Sequence, residues 1–101
     1  MGQESTGDRL RVVEWLPLAN KNRFEQLDYI AQDNPIAAIS QDEEVEHQVD
    51  MLINHPQMGR LGRKRGTREL VISRTPFVVV YRVKGKRIEV IRLLHSAQQW
   101  P

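Results

Sequence analysis

The chain has 101 residues, enough for one compact domain with a modest core. It lacks cysteine, which excludes disulfides, thiol catalysis and thiolate metal sites and suits a cytoplasmic setting. Net charge is only +2, yet residues 1–56 carry four Lys/Arg against eleven Asp/Glu, and residues 57–101 carry eleven against two. That imbalance either cancels across the fold or builds a cationic face for an acidic polymer or an acidic partner segment.

Residues 1–9 have neither the basic start nor the apolar stretch of a signal peptide, and read as a flexible lead-in to a single domain over 10–101. No apolar run approaches the roughly 20 residues of a membrane helix. Residues 11–16 form a short β-type run ended by Pro17. Helical periodicity follows. Phe24, Leu27, Ile30 and Ala31 recur at steps of three and four as a core-facing stripe, with Lys21, Arg23, Glu25 and Asp28 on the wet face.

Asp33-Asn34-Pro35 stops this helix, and Asn34 is placed to cap the next one, with Pro35 at its first position. The second helix is expected over 35–54. Ala38, Val45, Val49 and Leu52 are its apolar stripe, and Asp42, Glu43, Glu44 and Glu46 its wet face. The short link makes the two helices an antiparallel hairpin, closed by His55-Pro56.

Residues 57–67 read as a glycine-rich basic loop. Three β-type runs come next, over 68–72, 77–83 and 88–94, the last two joined by a turn at Lys84-Gly85-Lys86. The order is β-α-α-β-β-β. It predicts an α+β fold, a helical hairpin packed on a small, twisted, mostly antiparallel sheet.

Four strings stand out in this order: Gln32-Asp33-Asn34-Pro35; Gly66-Thr67-Arg68-Glu69-Leu70-Val71; Pro76-Phe77-Val78-Val79-Val80-Tyr81-Arg82-Val83; and Leu94-His95-Ser96-Ala97-Gln98-Gln99-Trp100-Pro101. Together they resemble the RelE/ParE superfamily of toxins, in particular its ParE-like branch, over about residues 10–101. The resemblance implies the toxin of a type II toxin–antitoxin (plasmid stabilisation) module, silenced by an antitoxin segment that wraps it. It also implies one of two targets. RelE-like members cut messenger RNA on the ribosome; ParE-like members poison DNA gyrase.

RNA cleavage needs a base, cations for the phosphorane and an acid for the leaving oxygen. The resemblance places these roles on basic residues of the later strands, with a Tyr or His near the C-terminus. Here Phe77 or Val78 stands where one nuclease relative has arginine, and the turn after the last strand reads Ser96-Ala97-Gln98 instead of being basic. The remaining candidates are Arg68, Arg82, Arg92 and His95, with Glu69 as base and Tyr81 as a spare hydroxyl. Each also has a plainer reading. His95 caps a strand end, Glu69 pairs with Arg82 across strands, and Tyr81 is core with its hydroxyl at an edge. His47 and His55 are surface residues, and no spacing suggests a metal or other cofactor.

Arg60, Arg63, Lys64, Arg65 and Arg68 make the strongest binding signal, five cations within nine residues. The loop has no interleaved aromatic, so base stacking on it is not expected. Trp15 is expected in the core. Trp100 is expected to fold back over the sheet edge or to anchor a partner. The first expectation is a toxin that binds DNA gyrase and a cognate antitoxin. The alternative is a ribosome-dependent mRNA endoribonuclease using Arg82, Arg92 and His95, and a third reading is a chain that only binds its antitoxin.

Overall fold

The computed structural model describes residues 11–96 and 98–101; the expected lead-in over 1–9 lies outside them. Strand β1 is Val12–Trp15, helix α1 Pro17–Asp33 and helix α2 Pro35–Asp50, extended by a 3-10 turn at Met51–Ile53. Strands β2 (Arg60–Leu61), β3 (Arg68–Val71), β4 (Phe77–Lys84) and β5 (Arg87–His95) complete the chain. The sheet has five strands in the order β1-β5-β4-β3-β2, so the first strand lies beside the last. That pair is parallel and all others are antiparallel. Among the described residues no helix is long and apolar enough to cross a membrane.

The helix boundaries follow from the caps. Pro17 and Pro35 open the two helices, where a missing N–H costs nothing. The Asn34 side chain accepts the Ala37 N–H at 3.0 Å, as its position predicts. Ala38, Val45, Val49 and Leu52 are all buried, the last three in the core shared with the sheet. With Leu70, Ile72, Phe77, Val79, Tyr81, Ile88, Val90 and Leu93 they form most of the core, and Trp15 packs against it.

Helix α1 corrects the predicted stripe. Ala19 is its fully buried residue and Ile30 packs on the core, but Phe24 is 71% exposed. The helix is turned so that Asn22, Arg23 and Gln26 point inward with Ala19 and Ile30. Arg23, expected in solvent, lies over the Trp15 ring at 4.5 Å and bridges to Asp42 at 2.7 Å and Glu46 at 2.8 Å on α2. Burial opposes its charge, but those two carboxylates raise its pKa further. An ionic clamp, not an apolar seam, holds this side of the hairpin.

The basic loop is also corrected. It contains β2, whose Arg60 and Leu61 pair with Glu69 and Arg68. Two residues in a Gly- and Arg-rich context carry no legible alternation.

Candidate functional site

The cationic cluster divides on folding. Glu69 is 2% exposed and draws in two of the arginines, Arg60 at 3.1 Å and Arg63 at 3.3 Å, and accepts the Arg63 backbone N–H at 3.0 Å. Burial pushes the Glu69 carboxyl up, but these donors and charges outweigh it and hold the group below its usual range. Arg68 is occupied with backbone carbonyls, Gly59 at 2.7 Å and Gln57 at 3.4 Å. Lys64 and Arg65 remain exposed and make no ion pair among the described residues.

The backbone of the loop between β2 and β3 that carries those two cations is held by its own hydrogen bonds. Gly62 N–H donates to the Thr67 carbonyl at 2.8 Å, and the Thr67 N–H to the Lys64 carbonyl at 3.1 Å; the Thr67 hydroxyl also bonds that carbonyl. A Cβ on Gly62 would strike the Thr67 side chain and stand 2.9 Å from its carbonyl oxygen, so the turn closes only around glycine. Gly66 takes φ 84°, the left-handed region.

The expected Glu69–Arg82 pair does not form. Each finds the residue directly opposite it on its other neighbouring strand: Glu69 faces Arg60 on β2, and Arg82 faces Glu89 on β5. Arg82 Nε lies 2.7 Å from Glu89, which also takes Arg87 at 3.1 Å. The Arg82 hydrogen bond, with the charges of Arg87 and Lys84, lowers the Glu89 pKa. Arg92 donates to Asn22 Oδ1 at 2.8 Å and lies over the Trp100 ring at 5.6 Å. Tyr81 is fully buried. Its hydroxyl donates to the Pro56 carbonyl and accepts the Gly59 N–H, and burial raises its pKa. His95 is exposed at the end of β5, where its backbone N–H donates to Gln98.

These placements keep the nuclease candidates apart. His95 lies opposite Phe77, and Arg82 stands five residues further along β4, roughly 16 Å at the usual strand rise. His95 stands three positions after Arg92, so their side chains leave opposite faces of β5. Glu69 is a deprotonated carboxylate already bound to two arginines, a poor proton acceptor.

Two recessed surfaces among the described residues bear on function. One is a cleft of about 320 Å³ between the β2–β3 loop, the end of β4 and the C-terminus. Lys64, Arg65, Arg82 and Lys84 supply its charge, and Val83, Ile91 and Trp100 its apolar lining. Trp100 thus folds back onto the sheet beside Ile91 and Arg92, where β5 has run past the end of β1. The other is an open groove of about 330 Å³ between the helices, lined by Phe24, Leu27, Ala31, Pro35, Ala38 and Ile39, with Asp28 and Asp42 at its rim. Sequence reasoning missed this groove, although the stripe on α1 and the spacing of Pro35, Ala38 and Ile39 carried its signal. Asn22 left no signal at all.

The family model described as the ParE toxin of the type II toxin–antitoxin system, parDE, matches residues 13–100. Y4kP of Sinorhizobium fredii, which is named as a toxin, is 35% identical over 89 residues, covering 88% of this chain and 92% of that one. Toxin RelE2 of Caulobacter vibrioides is 32% identical over 87 residues, 86% of this chain and 94% of its own. A solved structure of the chromosomal ParDE system from P. aeruginosa matches with a TM-score of 0.77 at 26% identity, over 85% of this chain and 96% of that one. The chain thus belongs to the ParE toxin family of type II toxin–antitoxin systems.

Proposed function

We propose that this toxin inhibits growth by binding DNA gyrase, without bond chemistry of its own, and that a cognate antitoxin silences it. One observation carries the reading: every residue that RNA cleavage would use is either committed to an internal partner or displaced along the sheet. Glu69 is held by Arg60 and Arg63, Arg82 by Glu89, and Arg92 by Asn22. Among the described residues, the candidate acid, base and cations do not converge on one phosphate.

Membership of a toxin–antitoxin family gives the apolar groove an occupant. We assign it to an antitoxin segment that lays apolar side chains on Phe24, Leu27, Ala31 and Ile39, the helix-in-groove mode of peptide recognition. Phe24 and Ile39 are 71% and 61% exposed, so covering them gains the hydrophobic energy that folding left unused.

A supercoiling assay with purified gyrase tests the target. Added toxin is expected to slow supercoiling or to raise the level of cleaved DNA. Unchanged supercoiling and cleavage at saturating toxin would reject gyrase as the target. The kinship with toxin RelE2 supports a second reading, mRNA cleavage on the ribosome. Primer extension on translating ribosomes would show it as new 5′ ends.

A further inference from the structure

We propose that the cationic cleft beside Trp100 seats one nucleotide unit, with its phosphate on Lys64, Arg65 and Lys84 and its base against the indole. The loop sequence alone argues against stacking, because no aromatic lies among its arginines. Folding supplies one. Trp100 comes from the far end of the chain to line the same cleft as Lys64 and Arg65.

Three observations point to a nucleotide. Lys64, Arg65 and Lys84 form no ion pair among the described residues, whereas Arg60, Arg63, Arg82 and Arg87 share the buried carboxylates Glu69 and Glu89. Three cations without an ion pair thus share one mouth, and hydrogen bonds inside the β2–β3 loop hold the backbone that carries two of them. The lining beneath them is apolar and aromatic, which suits a base and gives nothing to a bare anion. Trp100 is half-buried at the cleft wall with the Arg92 guanidinium over its ring at 5.6 Å, so the indole is seated before any base arrives.

An acidic peptide fits less well. Peptide strands bind by completing the ladder of an edge strand, and the edges here are β1 and β2. The cleft opens on β4 and β5, which lie inside the sheet; β3 pairs with β4 only as far as Tyr81, so no more than the short stretch Arg82–Lys84 of β4 is open there to a peptide ladder. Nucleic acid needs no backbone edge. It brings phosphates for the rim and a flat ring for the floor. This inference stands apart from the choice of gyrase, and no gyrase enters its test.

The test is a fluorescence titration of the Trp15→Phe protein, in which Trp100 is the remaining indole. A short oligothymidylate is expected to quench it, with log K falling against log salt at roughly −0.7 per phosphate neutralised. The triple variant Lys64→Ala/Arg65→Ala/Lys84→Ala should bind at least tenfold more weakly, with a thermal midpoint close to the parent's, because none of the three makes an ion pair among the described residues. Thymidine monophosphate separates two sources of the same chemistry. Quenching at a similar midpoint assigns the cleft to a free nucleotide, and quenching by the oligomer alone assigns it to a strand. No quenching by either, an unaffected triple variant, or equal affinity for polyglutamate would overturn the proposal.

Discussion

Gly59 and Tyr81 are built against each other. The Tyr81 hydroxyl accepts the Gly59 N–H at 2.9 Å and donates to the Pro56 carbonyl at 2.8 Å, closing the segment that leads from α2 into β2. A Cβ on Gly59 would stand 2.7 Å from Tyr81 Cε1 and 2.9 Å from the Glu69 carbonyl oxygen, the latter being backbone of the next strand. The ring therefore dictates glycine, and the hydroxyl is structural.

Tyr81→Phe leaves a buried N–H and a carbonyl unpaired, at an expected cost of about 1–3 kcal/mol. Gly59→Ala should cost a similar ~1–3 kcal/mol through overpacking, since the backbone of β3 cannot retreat. Urea unfolding measures both: the midpoint should fall with the slope unchanged. A Tyr81→Phe midpoint equal to the parent's would show that the hydroxyl contributes nothing here.

The paired carboxylates make a prediction about pH. Glu69 and Glu89 both titrate below the ordinary 4.5 in the folded protein, so folding favours their charged forms. Their contribution is present in full above about 4.5, the unfolded value, and is lost as pH falls through the lowered folded values. The urea midpoint should hold near neutrality and drop below that pH. In Glu69→Gln/Glu89→Gln the drop should be shallower. At pH 7, Glu69→Gln alone should cost about 1–2 kcal/mol, less than a fully buried pair because Arg60 and Arg63 are largely solvated. A double variant with the parent's acid sensitivity would move the effect to other groups.

How much of this was legible depended on distance along the chain. Local rules placed the Asn34 cap, the Pro35 start, the α2 stripe and the three longer strands, because each signal lies within a few residues. Register is not local. Glu69 and Arg82 looked like partners until strand pairing set each opposite a different residue. The α1 stripe was visible, but periodicity says that a helix has an apolar face, not what covers it. Here Asn22, Arg23 and Gln26 face inward because Leu93 N–H, Trp15, Asp42, Glu46 and Gln98 satisfy them, leaving Phe24 outside. Trp100 met the basic loop only through the fold, so no window of sequence showed the two together.

The exposed Phe24 leads to a test of the groove. Phe24→Ser/Ile39→Ser removes apolar surface that the isolated toxin leaves in water, so its own stability should barely change. Antitoxin binding should weaken by roughly a hundredfold, given about 1.5 kcal/mol for each large side chain no longer covered. Cells co-expressing the antitoxin should then stop growing with this variant and keep growing with the parent toxin. Full protection of cells carrying the variant would place the antitoxin elsewhere.

His95 decides between binding and cutting. As a general acid it would contribute roughly 10²–10⁴ to cleavage, and His95→Ala would abolish growth inhibition. In the structure the side chain sits exposed at the last position of β5, while Arg92 and Arg82 hold other partners further along the sheet. The strand end itself is secured by main-chain atoms, the His95 N–H to Gln98 Oε1 at 2.9 Å and the Gln98 N–H to the His95 carbonyl at 2.8 Å, which alanine retains. His95→Ala should therefore fold like the parent and inhibit growth to the same extent in the absence of antitoxin. Loss of inhibition by a variant with the parent's thermal midpoint would show that the imidazole touches the target. New 5′ ends on translated mRNA that vanish in the same variant would then make the protein a nuclease.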